Sequence, residues 1–278
     1  MKKLAAVLLC VSICITISVF YPRHAACQDT IKICNCDTGV LDMEIFSMAT
    51  EMTVTMSDLI NECAYSAEKR KDFKSCVSIL TKTWKEEGLI DCSEKRSIKN
   101  CARLFTPVKT VKYVDVLRYT GLWYQIASYI NPFIGDLAGV TAEYTINPDG
   151  TVKVVNKGIF GGLDGIPVML TGVARVVDEQ TNAKLAVSFP PRITQESEYW
   201  IIELAKNYSY AIVTNSKRTS LFILNRTPRM EESLYQDIVS RLTMQCFDPE
   251  KIVRTLQPEE YNDNKSKAIQ GKKSGRSK

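Results

Sequence analysis

Histidine is almost absent from this chain of 278 residues: the single one, His24, falls in a segment that reads as a cleavable leader. That segment carries Lys2 and Lys3, an apolar run from Leu4 to Phe20, and then Ala25-Ala26. This is the three-part pattern of a secretory signal, with cleavage expected near Ala26 and a secreted product. A mature chain without histidine excludes Ser-His-Asp and Cys-His catalysis and His-ligated zinc. Long apolar runs are equally scarce. The leader's run covers 17 residues, short of the ~20 that a bilayer-spanning helix needs, so an uncleaved anchor is the alternative reading of that segment. Acidic residues are missing from Lys265 onward, where six lysines and arginines stand. With those and the leader's Lys2, Lys3 and Arg23 set aside, the net charge of +5 becomes a mildly acidic body. A nucleic-acid partner is therefore not expected. The tail is a candidate contact for anionic lipid or simply a solvated end.

Cysteine, by contrast, is abundant. Of ten cysteines, Cys10 and Cys14 leave with the leader, and Cys27, Cys34, Cys36, Cys63, Cys76, Cys92, Cys101 and Cys246 remain. An even number in an oxidising compartment favours disulfides over a metal site, so all eight are expected to pair, and neither a metal nor a cofactor is expected. Seven of the eight precede residue 102. If every cysteine is paired, one bond must therefore join Cys246 to the N-terminal region, with Cys101 the expected partner. The alternative leaves Cys246 free because Cys27 is lost, lipidated or bonded to another chain.

Apolar residues from Leu41 to Cys63 recur at steps of three and four, which predicts one helix. Phe73, Cys76, Val77, Leu80 and Trp84 predict a second helix, and Ile98, Cys101 and Phe105 a short third. Residues 27–105 thus read as a small disulfide-stapled helical module. Its methionine stripe is either a lipid or partner surface or an ordinary core face. After Pro107 the period changes to two. Strands are predicted at 122–130, 140–146, 151–157, 168–177, 184–189, 199–205, 208–214 and 221–225, the second and third joined by Asn147-Pro148-Asp149-Gly150, a hairpin signature. Eight evenly spaced antiparallel strands favour an up-and-down barrel wide enough for a small ligand, with a sandwich as the alternative. Residues 230–244 predict one amphipathic helix outside the sheet, and 259–278 a disordered basic tail.

The order of Gly121-Leu122-Trp123 opening the first strand, Asn207-Tyr208-Ser209-Tyr210 between the sixth and seventh, and Asn225-Arg226-Thr227-Pro228 closing the eighth resembles the lipocalin family. Within it, the branch of apolipoprotein D and the bacterial outer-membrane lipocalins is the most similar, over residues 112–258. The second motif departs from the family's usual Thr-Asp-Tyr. The resemblance implies an all-β, eight-stranded antiparallel up-and-down lipocalin barrel with one C-terminal helix, over residues 106–258, preceded by the disulfide-rich α-helical module. It further implies that Gly121, Trp123 and Arg226 are structural, with Trp123 and Arg226 packed across the closed end as a cation–π pair.

The resemblance also implies ligand-lining roles for Tyr144, Asn156 and Trp200. Strand alternation then adds Ala142, Val154 and Ile202, and Phe222 with Leu224 on the last strand. Such a lining suits a small hydrophobic ligand with one polar end: a fatty acid, lysophospholipid, sterol or retinoid. The loops 131–138 and 158–166, with Ile159, Phe160, Leu163 and Ile166, form either a lid or membrane contact, or a fold over the barrel mouth. Asn207, Asn225 and Asn264 head glycosylation acceptor patterns, and Asn207 is the expected site. Cys27 follows Ala25-Ala26 as a lipidated cysteine would, but His24 stands where an apolar residue is normal.

A secreted carrier or scavenger with no chemistry of its own is the leading reading. A cysteine-rich module before a lipocalin domain also resembles the domain order of violaxanthin de-epoxidase, which implies an enzyme acting on a lipophilic substrate such as a carotenoid. The cysteine spacing and the acidic C-terminal region of that enzyme are absent here. A third reading makes residues 27–105 an interaction module.

Overall fold

The computed structural model describes residues 29–47, 52–129 and 137–258. They fall into two compact units, one ending at Pro107 and the other beginning at Val108. The leader, Cys27, Met48, most of the 131–138 loop, the tail 259–278 and Asn264 lie outside the described residues.

The first unit contains strands as well as helices. β1 (Thr30–Ile33) and β2 (Cys36–Leu41) form one hairpin, and β3 (Glu44–Ser47) and β4 (Met52–Thr55) another. The helix expected from Leu41 therefore starts only at Met56: α1 is Met56–Ser66. The reason is local. Met52-Thr53-Val54-Thr55 includes three β-branched residues, which favour strand. Thr55 and Asp58 then form a capping box in which the Asp58 N–H donates to Thr55 Oγ1 (3.0 Å) and the Thr55 N–H to Asp58 Oδ2 (2.9 Å), and this fixes the helix start. α2 (Arg70–Glu86) and α3 (Cys92–Cys101) follow, α3 capped reciprocally by Asp91 and Glu94.

Met56, Ile60, Phe73, Val77, Trp84 and Ile98 from the helices bury against Ile31, Ile33 and Val40 of the first hairpin, and Phe73 stacks on Phe105 at 4.0 Å. Met56 is thus a core residue, while Met52 is exposed. Two disulfides staple the unit, Cys36–Cys101 and Cys63–Cys76, spanning 65 and 13 residues. Closing loops of this length contributes about 3 to 4 kcal/mol each in the chain-entropy account, a large share for so small a core. The expected Cys101–Cys246 bond is not formed, because Cys101 on the last turn of α3 faces Cys36. Cys34 and Cys246 are also in disulfides. Cys92 corrects the expectation that every thiol pairs: it is free and exposed at the first turn of α3.

The second unit is the barrel. After the single turn α4 (Val116–Tyr119) come β5 (Gly121–Tyr129), β6 (Leu137–Ile146), β7 (Val152–Phe160), β8 (Ile166–Val176), β9 (Lys184–Phe189), β10 (Ile193–Leu204), β11 (Tyr210–Thr214) and β12 (Leu221–Asn225). Each pairs antiparallel with the next, and β12 returns to β5 through Phe222↔Ser128 and Asn225↔Tyr124, so the sheet closes. Closure excludes the sandwich and removes free edges.

α5 (Glu232–Met244) packs outside this wall. Its Tyr235, Ile238 and Leu242 bury against Ile126, Ile212 and Ile223, each such side chain contributing about 1.5 to 3 kcal/mol. Arg241 of α5 donates to Glu203 of β10 at 2.6 Å. A strand that periodicity misses, β13 (Ile252–Arg254), pairs with β5, and Arg254 lies 3.4 Å over the Tyr235 ring. Residues 255–257 extend it into the space where β5 and β6 part. The Thr255 N–H donates to Ile126 O, Leu256 O accepts from the Gly139 N–H, and Gln257 Nε2 donates to both Gln125 O (2.8 Å) and Val140 O (3.1 Å). One buried amide thus substitutes for the missing ladder bonds.

Candidate functional site

The closed end of the barrel is built around Arg226, just past β12. Its guanidinium lies 3.8 Å from the Trp123 ring centroid and donates to Leu122 O (3.0 Å), Arg118 O (2.8 Å) and Tyr119 O (3.2 Å). Trp123 is fully buried, and its indole N–H donates to Tyr119 O at 2.8 Å. Gly121 allows this approach: its φ is +90°, and a Cβ there would sit 3.3 Å from Arg226 Nη1. Burial holds the Arg226 pKa below its usual value, offset by Tyr119. Trp123 and Arg226 occupy the floor, beneath the lumen.

Above the floor, rings form a ladder into the lumen. Tyr119 lies 5.0 Å from Trp123 and 5.7 Å from Tyr144, and Tyr144 lies 6.1 Å from Tyr199, centroid to centroid. The three hydroxyls converge: Tyr199 Oη is 2.8 Å from Tyr119 Oη and 3.0 Å from Tyr144 Oη. Burial pushes the pKa of Tyr119 and Tyr199 well above the ordinary phenol value and that of Tyr144 up to about 12. All three are therefore neutral phenols with one proton each. Two hydrogen bonds consume two protons, and the third remains available to an acceptor.

The three tyrosines border a cavity of about 30 Å³ with an almost wholly apolar wall, lined otherwise by Val114, Val152, Leu185, Val187, Ile201 and a few neighbours, with Thr120 and Asn182 its only other polar side chains and no charged one. That is the volume of about one water.

Of the residues expected to line the lumen, Tyr144 borders this cavity, Val154 is buried in the barrel core, and Ala142 and Phe222 pack against it. Asn156 shares the strand face of Val152 and Val154 and pairs with Ala142. Trp200 and Ile202 are corrections. Tyr199 and Ile201 face inward, so Trp200 points out, under the Lys184 ammonium at 4.1 Å, and Ile202 packs on the side of α5. Both follow from plain alternation about the inward Tyr199 and Ile201; a register shift between Ile201 and Glu203 adds one extra residue just after them. It lets Ile202 and Glu203 both face α5 while Leu204 returns to the core. The lumen role that the resemblance implies for Trp200 set the opposite parity for this strand, and Ile202 followed it.

Sequence reasoning also misses Tyr119, Tyr199 and Phe189. Phe189 seats its ring on Gly172, where an added Cβ would lie 2.4 Å from it. A glycine in the middle of an apolar strand is the available signal for such close approach. At the open end Phe160 and Ile166 are exposed, whereas Ile159 and Leu163 fold back within contact of a Cβ at Gly139. Asn207 is exposed, with Oδ1 accepting from the Ser209 N–H. Asn225 is buried, and its amide is engaged by Thr227 and Arg229.

A closed eight-stranded barrel with an arginine–tryptophan floor and an outer helix defines a class of single-calyx binding proteins. The lipocalin-like domain pattern matches residues 114–257, and the chain belongs to that family. It is 34% identical over 157 residues to temperature-induced lipocalin-1 of Arabidopsis thaliana, covering 54% of this chain and 83% of that one. It is also 34% identical over 151 residues to the outer membrane lipoprotein Blc of Escherichia coli (strain K12), covering 54% and 84%. Among solved structures, insecticyanin of the tobacco hornworm Manduca sexta superposes with a TM-score of 0.45 at 17% identity, over 54% of this chain and 85% of that one.

Proposed function

We propose that the protein is a secreted carrier or scavenger that takes a small lipophilic molecule into the barrel, polar end first, and presents that end to the Tyr119–Tyr144–Tyr199 hydroxyls. The observation that carries this reading is the cluster of three neutral phenols, with one proton more than their two mutual hydrogen bonds use, among the lining of an apolar cavity. The donor is neutral, and no cation lines the cavity. A carboxylate would lose its hydration there without a counter-charge, a cost of several kcal/mol. A hydroxyl, carbonyl or ester oxygen needs only a donor. Within the ligand classes expected from the sequence, a sterol or retinoid thus fits better than a fatty acid. Membership of the lipocalin family supports binding over catalysis. The disulfides support an oxidising, extracytoplasmic location, and the exposed Asn207 is the site at which glycosylation is expected there. No helix among the described residues is long and apolar enough to cross a membrane.

The test is displacement of a fluorescent long-chain probe by an alcohol, an aldehyde and a carboxylate of equal chain length. The neutral heads are expected to compete at least about tenfold better, a difference of one hydrogen bond's discrimination. Ala142→Phe, which fills the lumen, should abolish binding, and Trp200→Ala should leave it unchanged. Full affinity in an Ala142→Phe protein of native melting behaviour would refute the site.

A further inference from the structure

The first unit carries a groove unrelated to the barrel. A cavity of about 220 Å³ is lined by Lys74 of α2, Lys99 of α3, and Ala102 and Arg103 just after it. The two basic pairs Arg70/Lys74 and Lys99/Arg103 each stand four residues apart on packed segments. Like charges at that spacing repel one another, and no ion pair among the described residues offsets Lys74, Lys99 or Arg103. None of Lys74, Lys99 and Arg103 has an ion-pair or side-chain hydrogen-bond partner among the described residues. The acids nearest in sequence are committed elsewhere, Asp72 to the Lys69 N–H and Glu94 to the Asp91 N–H.

The floor is fixed rather than adaptable. Ala102 is buried, Arg70 Nε donates to Phe105 O at 2.7 Å, and Phe105 is stacked on Phe73. Cys101, beside the groove, is tied to Cys36. Three unpaired cations around a preformed concavity, one of them a planar guanidinium fork, match a tetrahedral oxyanion. The volume, about seven waters, exceeds what a single small ion fills. We propose that this groove binds a phosphate group carried on a larger molecule, with Arg103 as the bidentate contact and Lys74 and Lys99 as the flanking charges.

The experiment uses the full chain. Equilibrium dialysis against radiolabelled inorganic phosphate at low salt is expected to show saturable binding. The Lys99→Gln/Arg103→Gln double variant should weaken it about tenfold or more, the equivalent of one lost charge-assisted hydrogen bond. Lys82→Gln, which removes an exposed lysine paired instead with Glu86, should have no effect. Phosphatidylcholine vesicles with and without a phosphoinositide monophosphate distinguish the source. Co-sedimentation lost in the double variant identifies a lipid headgroup. Phosphate binding without co-sedimentation identifies a soluble phosphate ester. Absence of both, or binding equal in wild type and double variant, overturns the proposal. Far-ultraviolet circular dichroism and an unchanged thermal unfolding midpoint check that the double variant folds.

Discussion

Replacing Arg226 by methionine keeps most of the aliphatic stem and removes the guanidinium. The structure allows the cost to be worked out. Three hydrogen bonds of 2.8 to 3.2 Å to Arg118 O, Tyr119 O and Leu122 O are lost, together with the contact over Trp123. A hydrogen bond from a charged donor contributes about 1.5 to 3 kcal/mol when protected. Two of these bonds are exposed, and exposure reduces such contributions severalfold. The cation–π contact adds about 0.5 to 2 kcal/mol. The expected loss is therefore about 2 to 4 kcal/mol, equivalent to a fall of about 5 to 15 °C in Tm for a domain of this size. Arg226→Lys retains a charge over Trp123 but not the fork that reaches three carbonyls of α4 and the start of β5, and it should recover less than half. Thermal unfolding followed by near-ultraviolet circular dichroism, which reports the buried Trp123, is the assay. A loss under about 0.5 kcal/mol, or full rescue by lysine, would refute the view that the floor is closed by bidentate hydrogen bonding.

Tyr199→Phe removes the central hydroxyl and leaves those of Tyr119 and Tyr144 buried and unpartnered; a loss of about 1 to 3 kcal/mol is expected, and denaturant unfolding reads it. Because the folded pKa values of Tyr119, Tyr144 and Tyr199 are raised above the unfolded value near 10, their stabilising effect is complete below pH ~10 and is lost as pH rises through about 12 and beyond. Alkaline titration of tyrosinate absorbance should show these three ionising together with unfolding, and independent early ionisation would contradict their burial. Among the described cysteines, a thiol reagent without reductant should label Cys92 and not Cys246, and peptide mapping that finds Cys246 modified would overturn its disulfide. Gln257→Leu should cost about 1 to 3 kcal/mol through Gln125 O and Val140 O and speed hydrogen exchange of the Gly139 amide; unchanged exchange would show that residues 255–257 do not hold the gap between β5 and β6.

The sequence by itself determined the barrel. Period-two alternation, turn residues between the runs and the Gly121-Leu122-Trp123 to Arg226 frame are local properties, and all eight strands and the outer helix fall where those properties put them. The floor was legible for the same reason: a tryptophan at the first strand and an arginine at the last can meet only if the sheet closes. Tertiary structure decided the rest. The packing of Tyr199 and Ile201 into the core set which face of β10 turns inward, and the bulge after Ile201, which returns Leu204 to that face, has no signature until the partner strand fixes the register. The Tyr119–Tyr144–Tyr199 cluster joins positions 55 and 80 residues apart in sequence, beyond any local pattern. The split of Leu41–Cys63 into a hairpin and a helix turned on the Thr55–Asp58 cap, which outweighed a three-to-four spacing that strands can imitate over a short span. Cysteine pairing followed proximity alone: Cys101 met Cys36 because α3 packs on the first hairpin, and Cys92 at the other end of the same helix met no thiol.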